Sequence, residues 1–332
     1  MSAIPRVLTI ASSDSGGGAG IQADLKAFAR CGAHGMSAIV ALTAQNTLGV
    51  TAIEQLPPAF VREQISAVLD DIGAGAAKTG MLFSSPIIDA VADELSGCGI
   101  PLVVDPVMMA SSGARLLLPD AVATLTGRLF PLATVVTPNL PEAQALTGLD
   151  TEDRAKLAEH LVGMGAHAAL VTGGHGARPA DHLFDGRQHL SIPVPRYDVA
   201  ATHGAGCTHS AALAAGLAAG LSLPDAAAQA AAVACDAVAH GLAGLGGGDG
   251  PVHALHCFSR GDDPPAPPAH GGSSPPFPPT GISAEGAETP RLWLRLETQG
   301  QMSRQRADPG DLRRVLSRPS GILQIRRVSS AP

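Results

Sequence analysis

The feature that most constrains this chain is a repeated alternation. A short apolar run ends in a polar or glycine-rich cluster, and a segment of helical periodicity follows. The runs are Val7–Ile10, Ser37–Leu42, Ala76–Ala77, Leu102–Val104, Thr134–Val136 and Ala168–Val171. The clusters that end them are Ser12–Gly20, Thr43–Asn46, Lys78–Gly80, Asp105, Thr137–Asn139 and Thr172–Gly174. Between them, Ile21, Leu25 and Phe28 recur at helical spacing, as do Val61, Ile65 and Val68, then Ile87, Ile88, Val91 and Leu95, then Leu157 and Leu161. Further helices are expected at Pro119–Thr126 and, rich in Ala, on either side of Gly220 up to Leu242. Strands alternating with periodic helices predict an α/β fold with a central, mostly parallel sheet. Asp181–Leu183 and Leu190–Val194, joined through Asp185-Gly186-Arg187, read as a hairpin at the sheet edge.

In such sheets the carboxyl ends of the strands border the ligand crevice. Six polar clusters at six strand ends therefore predict one shared site. Within it, His203-Gly204-Ala205-Gly206-Cys207-Thr208 opens a long Ala-rich segment. Glycines ahead of a helix present unpaired backbone N–H groups in a positive field, which suits an anion. The same field favours a thiolate at Cys207.

The usual phosphate motifs are missing. Gly16 and Gly18 would need glycine at position 21 to complete G-x-G-x-x-G, and Ile21 stands there. Lys occurs only at positions 26, 78 and 156, never after Gly, so no Walker A loop exists. A net charge of −7, with 15% charged residues, argues against nucleic acid as a partner. No apolar run approaches the length of a bilayer span, and no secretory pattern opens at Met1. Five cysteines, none spaced C-x-x-C, do not suggest a disulfide framework or zinc site. A cytoplasmic protein with reduced thiols is expected.

Composition changes near Cys257. Twelve of the 27 prolines lie from there to Pro332, Lys is absent, and no hydrophobic period persists. The expected organisation is one domain over residues 1–256 and a Pro/Arg-rich tail without stable structure over 257–332. A short helix near Asp311–Leu316 is the one local element suggested there.

The motifs Ser13–Lys26, Thr43–Thr47, Lys78–Met81, Asp105–Met108, Thr137–Ala143 and Thr202–Thr208, in that order, resemble those of bacterial hydroxymethylpyrimidine/phosphomethylpyrimidine kinases of thiamin synthesis. The resemblance covers roughly residues 5–258. It implies a ribokinase-like, three-layer α/β/α fold, a homodimer, and two successive ATP-dependent phosphorylations of 4-amino-5-hydroxymethyl-2-methylpyrimidine. By the same match, Cys207 is the catalytic residue, acting as base or polarising the hydroxyl, and Gly204, Ala205 and Gly206 hold the transferring phosphoryl group. Gln45 pairs with the pyrimidine, its amide offering both donor and acceptor, with Ala19, Asp24, Thr43, Met81 and Val107 completing the pocket. Asn139, Glu142 and Thr172 fall at nucleotide positions, and Asp105 and Glu142 at the Mg²⁺ site.

Three positions depart from the family pattern: Ser12 for Gly, Thr172 for a Lys found in several members, and Ala205 for Thr. Two alternatives stay open: a pyridoxal kinase, on the strength of the same fold, and a pyrimidine-binding sensor without catalysis, kept open by these departures.

Overall fold

The computed structural model describes residues 4–109, 113, 116–173 and 179–258, together with the backbone of 293–298 and 301–306. The chain divides into two compact units, Met1–Pro265 and Ala266–Pro332.

The first unit is built on a nine-stranded sheet in the order β3-β2-β1-β4-β5-β6-β7-β8-β9. Its strands are β1 (Arg6–Asp14), β2 (His34–Asn46), β3 (Gly49–Gln55), β4 (Ala76–Thr79), β5 (Leu102–Val104), β6 (Val135–Val136), β7 (Ala169–Val171), β8 (Ala180–Phe184) and β9 (His189–Pro193). The six strands β1, β2, β4, β5, β6 and β7 pair in parallel. The edge strands β3, β8 and β9 pair antiparallel. The expected hairpin is β8–β9, in register from Ala180–Pro193 to Phe184–His189.

Helices α1 (Gly20–Arg30), α2 (Pro58–Asp71), α3 (Ser85–Leu95), α4 (Ala121–Thr124), α5 (Leu140–Thr147), α6 (Arg154–Gly163), α7 (Ala205–Ala218) and α8 (Leu223–Ala239) flank the sheet. Two apolar clusters accompany it. One gathers Ile65, Ile88, Val91 and Leu161 against the strands; the other gathers Phe28 with the alanines of α7 and α8. The small residues of α7 let α8 approach closely, with Gly216 lying against Ala226. Among the described residues no helix is long and apolar enough to cross a membrane.

Two local expectations change, and one short helix is new. Thr43–Asn46 is not a loop beyond a strand but the end of β2, which runs on because β3 pairs with it from Ala41–Gln55 to Asn46–Gly49. The segment after Asn139 is the short helix α5, closed by a capping box in which Asn139 and Glu142 each bond the other's backbone N–H. The helix expected at Pro119–Thr126 starts only at Ala121, with α4 running into a π-turn at Leu125–Leu129 and a 3₁₀ turn at Phe130–Leu132.

In the second unit, β10 (Trp293–Thr298) and β11 (Gln301–Arg306) pair antiparallel. The rest of the 257–332 expectation beyond Phe258, including the helix suggested near Asp311–Leu316, lies outside the described residues.

Candidate active site

β1 is the topological switch point, with β2 on one side and β4 on the other. Asp14 closes β1 and collects the glycine loop after it. Its Oδ1 accepts the Gly16 N–H at 2.8 Å, and its Oδ2 accepts those of Gly18 at 3.0 Å and Ala19 at 2.8 Å. His203 Nε2 lies 3.2 Å from the same Oδ2. Burial opposes the charge on Asp14, yet His203 and these amides hold its carboxyl below the usual range. Asp14 thus ties the loop after β1 to the loop before α7.

The contact between those loops is backbone to backbone. Gly204 has φ of +84°, and a Cβ there would stand 1.8 Å from the Gly18 carbonyl oxygen. Only glycine fits.

Helix α7 begins at Ala205, so the expected anion loop is the first turn of the helix itself. The Ala205 N–H already donates to the Thr202 carbonyl at 3.1 Å, and that of Thr208 to Gly204 at 2.9 Å. This takes Ala205 out of the expected donors and adds the first-turn amide of Cys207 beside those of Gly204 and Gly206. Ala205 does not line the cleft, whereas Gly204, Gly206 and Cys207 do.

The surroundings of Cys207 oppose the thiolate that its place at a helix terminus favours. Burial pushes the thiol up to about 12, because the carboxylates of Asp24 and Asp105 add to desolvation and outweigh Lys78 and the Gly20 amide. A helix terminus lowers a thiol's pKa only when the site does not exclude water more strongly than the dipole attracts charge.

Lys78, third residue of β4, is fully buried. Its Nζ lies 2.9 Å and 3.0 Å from the two carboxylate oxygens of Asp24 and 3.9 Å from Asp105 Oδ2. Thr9 Oγ1 donates to Asp24 Oδ2 at 2.6 Å. Burial disfavours the ammonium, but Asp24 first, then Cys207 and Asp105, hold it charged. Asp24 itself does not line the cleft; Lys78 does. Asp24, expected in the substrate pocket, therefore sits behind its wall and anchors the lysine that lines it.

Asp105 is buried and accepts a hydrogen bond from Ser210 Oγ at 2.8 Å. Glu142 Oε2 accepts the Asn139 N–H at 3.0 Å, and its Oε1 accepts that of Met108 at 3.3 Å. Burial, followed by the neighbouring Asp105 charge, pushes Glu142 up to about 7. The buried Asp105 and the partly buried Glu142 beside it offer hard oxygen donors of the kind a divalent cation takes.

On the opposite wall, Gln45 is held by two contacts. Thr43 Oγ1 donates to its Oε1 at 3.1 Å, and its Nε2 lies 3.3 Å from His203 Nε2. Thr43 is buried and, like Asp24, does not line the cleft. Ser12 donates to Met81 Sδ at 3.1 Å, so the hydroxyl at this departure from the family pattern is satisfied within the wall. Ala19, Met81 and Val107 line the same cleft, as do Asn139 and Thr172.

Sequence reasoning did not single out Asp14, Lys78 or His203 as site residues. An Asp ahead of a glycine run is a recognisable turn acceptor, whereas nothing local marks Lys78 as buried.

Residues 14–253 match the family model described as phosphomethylpyrimidine kinase. The chain belongs to the phosphomethylpyrimidine kinase family. It is 49% identical over 256 residues to the hydroxymethylpyrimidine/phosphomethylpyrimidine kinase of Rhizobium meliloti (strain 1021), covering 75% of this chain and 96% of the relative. With that of Bacillus subtilis (strain 168) it shares 46% over 259 residues, covering 75% and 94%. Among solved structures, phosphomethylpyrimidine kinase from Clostridium difficile 630 superposes with a TM-score of 0.62 at 39% identity, covering 69% of this chain and 96% of that one. An ADP complex of Bacillus subtilis pyridoxal kinase gives 0.71 at 34% identity, covering 78% and 100%. The fold is therefore the ribokinase-like one that the resemblance implied.

Proposed function

We propose that this cleft phosphorylates 4-amino-5-hydroxymethyl-2-methylpyrimidine to its monophosphate and then to its diphosphate with ATP, supplying thiamin diphosphate synthesis. One observation carries the reading: Gln45 and the first turn of α7 line a single cleft on this family's fold, an amide for the pyrimidine beside N–H donors for a phosphoryl group.

The substrate hydroxyl oxygen attacks the γ-phosphorus while the bond to the bridging oxygen of ADP breaks. In the second round a phosphate oxygen of the monophosphate attacks instead. The transition state is loose, so position and charge neutralisation supply most of the catalysis. Gly206 and Cys207 donate backbone N–H groups to the transferring phosphoryl oxygens. The neutral Cys207 thiol holds the attacking hydroxyl, whose proton leaves late and passes to a phosphoryl oxygen and then to solvent. Cys207 remains the catalytic residue, as a positioning hydrogen-bond partner rather than a thiolate base.

Gln45 reads the aminopyrimidine edge, with Ala19, Met81 and Val107 as walls. Asn139 and Thr172 border the nucleotide, beside Thr137, whose buried hydroxyl finds no partner among the described residues. Asp105 and Glu142 would hold Mg²⁺, which binds through one or two carboxylates plus substrate phosphates and offsets phosphate charge when bound. Catalysis belongs to residues 1–256, and the 257–332 tail supplies no catalytic group. A homodimer through the β2–β3 edge accounts for the exposure of Leu42 at 45% and Leu48 at 69% on that ribbon.

The deciding experiment is a two-step kinase assay with product analysis, run on the full chain and on residues 1–258. Mono- and diphosphate from both proteins support the proposal. Tight pyrimidine binding without product would instead indicate a sensor, and a kcat/KM for pyridoxal well above that for the pyrimidine would indicate a pyridoxal kinase. Sedimentation of the wild-type chain and Leu48→Asp tests the dimer.

A further inference from the structure

A buried carboxylate–imidazole pair lies outside the machinery described so far. Asp181 of β8 and His209 of α7 are both buried, and Asp181 Oδ2 lies 2.9 Å from His209 Nε2. The other carboxylate oxygen, Oδ1, accepts the Gly173 N–H at 2.7 Å. Burial works against the charge on Asp181, but His209, the Gly173 amide and Arg154 of α6 hold its carboxyl below the usual range.

The location of this pair is what gives it meaning. Gly173 follows Thr172, a residue that lines the cleft and bridges in parallel to Asn139. His209 sits two residues beyond Cys207, in the first turns of the helix whose N-terminus lines the same cleft. One carboxylate therefore bonds both the segment leaving β7 and the helix that presents the Gly206 and Cys207 amides.

Stability alone does not explain the pair. Every other residue of α7 from Ala211 to Ala215 is Ala or Leu, fully or almost fully buried, and an apolar side chain at 209 would extend that packing. Replacing a buried ionic pair by packed apolar groups is often neutral or stabilising, and the best-attested use of such pairs is to fix register. The packing here tolerates little shift, since a Cβ on Gly173 would come within 2.3 Å of the Ala180 backbone. An ionised Asp181 also fixes the ring: Nε2 carries the proton, and the buried Nδ1 finds no partner among the described residues.

The geometry points to Asp181 and His209 as positioning residues for the nucleotide, a strut that sets the Thr172–Gly173 segment against the phosphoryl-binding turn of α7. This rests on the kinase reading of the cleft. Neither residue touches the reacting atoms; each acts through the backbone it holds.

Asp181→Asn is the sharpest variant. Its amide oxygen still accepts the Gly173 N–H, while its NH₂ faces Nε2 and forces the proton to Nδ1, where a buried donor is left unpaired. His209→Leu removes the strut without burying a new polar atom. Calorimetric titration of ADP and steady-state kinetics separate the roles. Each variant is expected to weaken ADP and raise the KM for ATP about tenfold, with the KM for the pyrimidine changed less than about twofold. A Tm change with ADP affinity and both KM values unaltered would reduce the pair to a packing element and overturn the proposal. An equal rise in both KM values would do the same. A wild-type chain that binds pyrimidine but neither binds ADP nor turns over would instead remove the kinase reading, and the strut with it. If His209→Leu fails to fold, Asp181→Asn alone decides.

Discussion

Lys78 Nζ sits 2.9 Å from Asp24 Oδ1 with both side chains wholly buried, and the same ammonium lies 3.9 Å from Asp105 Oδ2. This ion pair links α1, β4 and the end of β5, the three elements that frame the cleft around Cys207. An ion pair so placed organises charge more than it stabilises, because desolvation consumes much of the Coulombic gain.

Removing one partner is therefore expected to be worse than removing both. Lys78→Met leaves Asp24 buried and unpaired and should destabilise the fold by about 3–5 kcal/mol. Lys78→Met combined with Asp24→Leu should recover most of that loss in urea unfolding. Catalysis should not recover with it, since the positive charge beside Asp105 is still missing, and kcat should stay at least about tenfold low. A double variant that regains both stability and kcat would confine Lys78 to neutralising Asp24.

The Cys207 thiol offers a chemical check. With its pKa pushed up to about 12, only about one thiol in ten thousand is ionised at pH 8. Alkylation by iodoacetamide should therefore modify exposed Cys257 well before Cys207 at pH 8, as followed by mass spectrometry. The Cys207 rate should climb about tenfold per pH unit beyond pH 9, until the fold fails. Cys207 reacting first at pH 7 would restore the thiolate and with it the base role.

At Gly204 the constraint is steric. Gly204→Ala places a methyl group against the Gly18 carbonyl at a left-handed φ. The backbone conformation alone costs about 1–2 kcal/mol, before the clash is counted. Because the shift displaces α7's first turn, kcat should fall by about a hundredfold or more. A near-normal kcat would mean that the two loops can part without cost to phosphoryl transfer.

Much of the scaffold was legible because it is local. Strand-to-helix alternation needs only a window of residues, and all six parallel strands lie where the apolar runs predict them. The hairpin followed from Asp185-Gly186. Strand β3 escaped because Gly49–Gln55 lies at the sheet edge, where burial imposes no sharp alternation. The site was legible as motifs but not as a network. Asp24 and Lys78 are 54 residues apart, so nothing local distinguishes a clamped carboxylate from a solvated one. Cys207 shows the same limit in another form: the helix terminus is visible in sequence, whereas the burial that reverses its effect is created by distant chain. Asn139 and Glu142 illustrate overlap, since the pair assigned to nucleotide and metal is also the capping box of α5.

The Glu142 carboxyl makes stability depend on pH in a direction that can be derived. In the unfolded chain it releases its proton near the ordinary glutamate value of 4.5, and in the folded chain it is pushed up to about 7. Between those values the native state binds more protons than the unfolded state. Stability from this group is therefore fully present below about pH 4.5 and is lost as pH rises through 7. Asp24 and Asp105, also raised by burial, act in the same sense, so the slope of wild type alone does not isolate Glu142. The difference from Glu142→Gln does: Tm of wild type relative to the variant should fall between pH 5 and 7.5, and level off above about pH 8. If Asp105 and Glu142 hold Mg²⁺, millimolar Mg²⁺ with ADP should raise wild-type Tm most at the alkaline end and should do so less in the variant. A wild-type-minus-variant difference that stays flat with pH would show that Glu142 is already ionised at neutral pH, and that its neighbours do not oppose the charge.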